Sequence, residues 1–159
     1  MSRIHATATA IIDAPASQVY AIIADYRQGH PRILPTKYFS EYEVERGGTG
    51  AGTIVRVRMG IAGTKRTIRM EVSEPEPGHV LAERDLQTGA LTTFTIEPVE
   101  NGRFSSVTID TDYVRGGIAG IFEKMVVPGL LRRIYTEELM KLESVASVAA
   151  IGEEALEAV

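Results

Sequence analysis

With no cysteine in the chain, its chemistry must rest on histidine, tyrosine, arginine and the acidic residues. The absence excludes a disulfide framework, a thiolate metal site and a cysteine nucleophile, and it fits a reducing compartment, so a cytoplasmic location is expected. Of the three histidines, His30 falls where a pocket entrance is expected, His5 lies on a strand and His79 follows a turn. A histidine can serve as general base near neutral pH, whereas one without a partner is only a rim residue. The histidines show no metal-ligand spacing, so neither a metal nor a cofactor is expected. Ser17, Ser40, Ser73, Ser105 and Ser106 stand in no nucleophile-elbow context, and no catalytic residue is assigned.

Tyr26, Tyr38, Tyr42, Tyr113 and Tyr135 fall on faces expected to point inward. Each offers an apolar ring and one hydroxyl that needs a partner when buried, which suits a pocket with few polar anchors and equally suits ordinary core packing. Around residues 80–86, Val80, Ala82 and Leu86 share parity with Arg84, while Leu81 goes with Glu83 and Asp85. One face of that strand therefore carries charge inward, which is costly unless the charge is paired or wet. Arg66 also shares parity with apolar neighbours. Arg66 or Arg84 could hold a ligand carboxylate or enolate, or reach solvent at a strand end. The glycine-rich stretch Gly47–Gly52 has neither a phosphate-binding spacing nor a following helix, and reads as a flexible hairpin loop or a gate at a cavity mouth.

The elements that must position these residues follow from periodicity. Ile4–Ile12 alternates with Ala6, Ala8 and Ala10 on the inner face, small residues that either seat a neighbour closely or leave a space. Pro15 opens a helix buried through Val19, Ile22, Ile23 and Tyr26, with Gly29 and Pro31 as its stop and one short helical turn possible before Pro35. Six further strands follow, near 37–45, 53–59, 64–73, 79–86, 91–97 and 103–113, with Glu74–Gly78 read as a turn that ends strand pairing. From Ile118 to about Ala150 runs an amphipathic helix interrupted or kinked at Pro128-Gly129. Its apolar positions Leu131, Ile134, Tyr135, Leu139, Leu142, Val145 and Ala146 demand a partner surface, which the antiparallel sheet supplies. The expected fold is α+β, a curved sheet of about seven strands wrapped around a long C-terminal helix, with two short helices after the first strand.

At 159 residues and 44% hydrophobic content the chain reads as one domain over 1–150 with an acidic, frayed tail at 151–159. No apolar run reaches the ~18 residues that span a bilayer, and the N-terminus lacks the apolar core of a signal peptide. A net charge of −4 argues against nucleic acid as a partner. Arg56, Arg58, Lys65, Arg66 and Arg69 form the nearest thing to a basic run, but alternation spreads them over both faces of a solvated sheet.

This order of elements resembles the helix-grip fold of the START-like superfamily, which includes the birch-pollen-allergen-like proteins. Ala14-Pro15 with Val19 and Tyr20, Asp25-Tyr26-Arg27, His30-Pro31 to Leu34-Pro35, Gly47 to Thr53, Glu74 to Gly78 and Pro128 to Leu142 are similar to its bacterial polyketide cyclase/dehydrase-type branch. The resemblance spans about Ile4 to Ala146 and contains no catalytic motif. It implies a cavity between sheet and final helix for an apolar or amphipathic ligand of lipid, polyketide or aromatic type. Candidate lining residues are Tyr26, His30, Tyr38, Tyr42, Val57, Met59, Arg66, Ile68, Met70, Arg84, Phe94, Ile96, Tyr113, Phe122, Met125 and Tyr135. Alternatives are a cyclase, aromatase or dehydratase using the same cavity, and a protein-interaction module. Nothing in the sequence sets the oligomeric state.

Overall fold

The computed structural model describes residues 2–61, 63–115 and 117–159 and, within them, the side chains of all but residues 115, 117–124 and 150. The elements run β1 (Ser2–Ile12), α1 (Ala16–Ala24), α2 (Gly29–Ile33), β2 (Phe39–Arg46), β3 (Ile54–Ile61), β4 (Thr64–Glu76), β5 (Val80–Asp85), β6 (Leu91–Val99), β7 (Phe104–Arg115) and α3 (Gly117–Glu157). The strands form one antiparallel sheet in the order β1-β7-β6-β5-β4-β3-β2. This is the helix-grip architecture: a curved seven-stranded sheet, two short helices after its first strand, and a long C-terminal helix on the concave face.

The core lies where α1 and the middle of α3 meet that face. Ile4, Ile12, Val55, Val57, Val72, Leu81, Phe94, Ile96, Val107 and Ile109 from the sheet are buried with Val19 and Ile23 of α1 and Leu131, Ile134, Leu139, Leu142 and Ala146 of α3. Helix α3 lies chiefly along β1 and also touches β7, α1 and α2. Ala6, Ala8 and Ala10 are therefore a seat that lets the helix backbone approach the strand, Ala6 within the core and Ala8 and Ala10 packed against it.

Several boundaries depart from the periodicity reading. Helix α3 runs unbroken past Pro128 and on to Glu157, so the tail at 151–159 is helical to that point although fully exposed. Pro128 deletes one backbone hydrogen bond, which the turns on either side outweigh. Gly29 and Pro31 open α2; a proline in the first turn is tolerated because the N–H it lacks has no partner there. Strand β4 continues to Glu76, with Pro75 at an irregularity in its pairing to β5, where no ladder hydrogen bond is required of it. In β2 a bulge between Ser40 and Glu43, with Glu41 at φ 50°, shifts the parity so that Phe39, Tyr42 and Val44 are all half-buried.

The loop Gly47–Gly52 is a clamp on the end of α1. Tyr26 N–H donates to the Gly48 carbonyl (2.9 Å), Gly50 N–H to the Ala24 carbonyl (2.9 Å) and Gly48 N–H to Thr53 Oγ1 (3.0 Å). Gly48 has a φ of 140°, and a β-carbon there would strike the Arg27 side chain. Pinned at these points, the loop holds the corner that carries Tyr26 and His30.

That corner is tight on its other side too. A β-carbon on Gly29 would collide with the backbone carbonyl oxygen of Ile22. Gly29→Ala is expected to cost about 1–3 kcal/mol, read as a lower urea midpoint, because neither backbone can retreat without moving His30. An unchanged midpoint would show that the corner yields.

Candidate functional site

Strand β5 decides what the concave face carries. Leu81, Glu83 and Asp85 are buried and Arg84 is exposed, so the strand turns two carboxylates inward. Register then places a row of polar side chains across the sheet: Glu83 pairs with Thr92 and Thr92 with Thr111. The two threonine hydroxyls are 2.7 Å apart, and the Thr111 hydroxyl also hydrogen-bonds the Tyr135 hydroxyl of α3. One turn on, α3 buries Glu138, 3% exposed, within electrostatic reach of Glu83, Tyr26 and Tyr135.

The α1–α2 corner completes the layer. Tyr26 donates its hydroxyl hydrogen to Glu83 Oε1 (2.7 Å), and its ring stacks on the His30 imidazole with centroids 4.4 Å apart. His30 Nδ1 is 2.8 Å from the Ile23 carbonyl oxygen, which can only accept, so Nδ1 carries a proton. Nε2 is thereby turned to Glu83 Oε1 at 3.4 Å. Glu83 Oε1 thus has both the Tyr26 hydroxyl and the His30 ring beside it. The imidazole and the carboxylate form a buried pair, 2% and 5% exposed, held by a tyrosine.

Burial disfavours the charged form of each member it isolates. The Tyr26 hydroxyl is held well above its ordinary value by desolvation and then by Glu83, and Tyr135 is raised chiefly by desolvation. Tyr42, whose hydroxyl donates to the Tyr26 carbonyl (2.8 Å), is raised by burial and then by Glu83. Glu138 is pushed well above the usual carboxylate range by desolvation and then by the charge of Glu83. Among the described residues Glu138 makes no hydrogen bond or ion pair.

Between this layer and the end of the sheet where α3 begins, the walls change character. Met59, Ile61, Ile68 and Met70 point to the concave side yet are only half-buried. Among the described residues α3 makes no contact with β2–β5 comparable to its contact with β1. At the rim, a cleft of about 430 Å³ is lined by Arg66, Gln87, Thr88, Tyr113 and Val114. Arg66 forms an ion pair with Asp85, which also accepts from the Gln87 N–H (2.8 Å) and the Thr88 hydroxyl (2.7 Å). Glu83 lies two residues further along β5, about 7 Å deeper.

The family model for polyketide cyclase / dehydrase and lipid transport matches residues 3–147. The chain belongs to this family. Among solved structures, the KanY protein is 33% identical, with 92% of this chain and 99% of that one covered and a TM-score of 0.79. An aromatase/cyclase, Zhui, from a Streptomyces species is 20% identical (92% and 94% covered, TM-score 0.74). A START superfamily protein from Mycobacterium smegmatis is 16% identical (91% and 98% covered, TM-score 0.69). A search of curated proteins finds no match.

Within this polyketide cyclase/dehydrase-family chain, the sixteen candidates of the sequence reading divide by environment. Tyr26, His30 and Tyr135 enter the buried polar layer, and Tyr42 supports it from β2. Met59, Ile68 and Met70 line the half-buried wall, and Arg66 and Tyr113 the rim cleft. Val57, Phe94 and Ile96 are packed core, Phe94 standing edge-on to His30. Tyr38 is half-buried at the surface, its hydroxyl 3.4 Å from Glu137. Arg84 points out of the sheet towards the Gly89 carbonyl, because the opposite face of β5 is the buried one. Met125 is 80% exposed: six residues before Leu131, it sits about 120° round the helix from the buried stripe. Phe122 lies outside the described side chains.

Two features escaped the sequence reading. Glu138 stands four residues after Ile134 and four before Leu142, so helical phase alone marked it as inward-facing. On the outer face, pairing of β1 with β7 gathers His5, Asp110 and Asp112, whose ligand atoms lie within 4.8 Å of one another. Arg3 already holds Asp112 (2.9 Å), and all are solvated. The basic residues of β3 and β4 are likewise paired across the outer surface, Arg58 with Glu41 (2.7 Å) and Arg69 with Glu45 (2.7 Å). No helix among the described residues is long and apolar enough to cross a membrane.

Proposed function

We propose that the chain binds a small amphipathic molecule of lipid, polyketide or aromatic type between the β3–β5 wall and the first half of α3. The supporting observation is the wall itself: inward apolar side chains left half-exposed above a buried layer of polar groups. A closed core would bury Met59, Ile68 and Met70 as it buries Val55 and Val72. The ligand's apolar body would lie on these side chains, and its polar end would meet Glu138, Tyr135, Thr111 and Thr92.

The neutral dye Nile red tests this reading. It should bind saturably in the micromolar range with enhanced fluorescence. Met70→Trp, which fills the space from β4, should weaken binding roughly tenfold or more, while Tm changes by only a few degrees. The absence of saturable binding, or a Trp variant that binds as well as the parent, would overturn it.

A second reading, a cyclase or dehydratase in the same space, is favoured by the buried grouping of His30, Glu83 and the Tyr26 hydroxyl, residue types that suit acid–base chemistry at a bound carbonyl. Its signature is turnover of a poly-β-keto thioester by the parent chain that is lost in Glu83→Gln.

A further inference from the structure

The charge balance of the polar layer is uneven, and the imbalance says what kind of head group belongs there. Two carboxylates are buried, Glu83 (5% exposed) and Glu138 (3% exposed), close enough for the charge of Glu83 to act on Glu138. Around them stand the hydroxyls of Tyr26, Tyr135, Thr92 and Thr111 and the imidazole of His30. The imidazole is the one basic group in reach of Glu83 among the described residues, at 3.4 Å, and its other nitrogen is held by the Ile23 carbonyl. Arg66, on the same concave face, is paired with Asp85 at the rim and is 42% exposed. Among the described residues, nothing neutralises Glu138.

We infer that the inner end of the ligand is a protonated amine, received by Glu138 with Glu83 behind it, and that the site discriminates against ligands whose inner end is a carboxylate. This rests on the ligand-binding reading of the same space. A buried carboxylate without a partner is costly to ionise, and while the site is empty burial and then Glu83 favour the neutral form of Glu138. An arriving ammonium changes that balance: the proton leaves Glu138, and the two charges pair inside a low-dielectric layer, where such a contact is strongest. A ligand hydroxyl or ketone would gain a single neutral hydrogen bond. A ligand carboxylate would bring a negative charge beside Glu83 and a buried Glu138, with no cation among the described residues free to receive it.

Calorimetric titration of the full chain at pH 7 with dodecylamine, dodecanol and dodecanoic acid, each below its aggregation limit, separates the head groups at constant chain length. Dodecylamine should bind roughly tenfold or more tighter than dodecanol, with dodecanoic acid weakest. In Glu138→Gln the amine should lose its advantage over the alcohol, whatever the absolute affinity of either; an advantage due to the acidic surface, which that substitution leaves intact, would persist. Glu83→Gln gives the same comparison through the second carboxylate. Dodecanoic acid binding as tightly as the amine, or an amine advantage that survives in both variants, overturns the inference while leaving the pocket standing. Failure of all three to bind overturns the pocket and the inference with it. Should neither variant fold, the head-group order in the parent protein decides.

Discussion

A chain that ends at Gly129 is expected to show no cooperative unfolding transition. The cut removes Leu131, Ile134, Tyr135, Leu139 and Leu142, each at most 7% exposed in the intact protein. Burial of a large apolar side chain contributes about 1.5–3 kcal/mol, so the lost contribution is roughly 8–15 kcal/mol. Net stability of a domain is itself only about 5–15 kcal/mol. The loss is compounded because β1 would then present Ile4, Ala6 and Ile12 to water on the face that α3 covers. A chain ending at Gly152 is the control: everything beyond it is exposed, so it should melt like the full chain. Thermal circular dichroism of both reads the outcome, and a cooperative melt of the shorter chain would show that the sheet closes on α1 and α2 without its long helix.

The legible part of this fold is the part that one face decides. In β3, β6 and β7 the buried side chains are those that strict alternation marks, because each strand has one apolar face and a two-residue period admits a single orientation. Strand β5 carries apolar and charged residues on both parities, so alternation leaves its facing open. Only pairing with β4 and β6, which places Glu83 beside Val72 and Thr92, turns the acidic face inward. Arg84 was a candidate on sequence for the same reason that the structure removes it. Local backbone events explain the remainder: the bulge at Glu41 puts Phe39 and Tyr42 on one side, and a proline in the first turn of α2 continues the chain where a stop was expected.

The polar layer was legible residue by residue and not as a layer. Tyr26, His30 and Tyr135 stood out as inward candidates, but what joins them is contact between elements far apart in sequence. Tyr26 meets Glu83 across 57 residues, and Tyr135 meets Thr111 across 24. No local pattern encodes such a meeting. Glu138 shows the converse case, a residue whose helical phase marked it as inward while its charge argued the opposite. In a helix whose neighbouring inward positions are Ile134, Tyr135 and Leu142, phase prevails because the backbone cannot turn one side chain away from its stripe.

Glu138 should also set the pH dependence of stability above the acid range. Its folded-state pKa is raised well above the ordinary 4.5 by burial and by Glu83. The folded chain therefore keeps a proton that the unfolded chain has already released. The stability linked to that proton is full below about pH 4.5 and is lost as pH rises towards the folded-state value, with a slope of up to about 1.4 kcal/mol per pH unit. Glu74 acts with the opposite sign: hydrogen bonds from Tyr20 and the Ala51 N–H lower its pKa, so its contribution is present above the ordinary value and lost as pH falls below it. The two effects occupy different windows. Between about pH 5.5 and 8 urea unfolding should show the parent losing stability as pH rises, while Glu138→Gln shows a flatter profile. Glu138→Leu, which also restores an apolar contact in the stripe, should be more stable than the parent by about 1–4 kcal/mol at pH 7. Equal slopes in parent and Glu138→Gln would mean that the carboxylate is not held neutral in the folded protein. A less stable Glu138→Leu would mean that the layer gains from this carboxylate more than burial costs it.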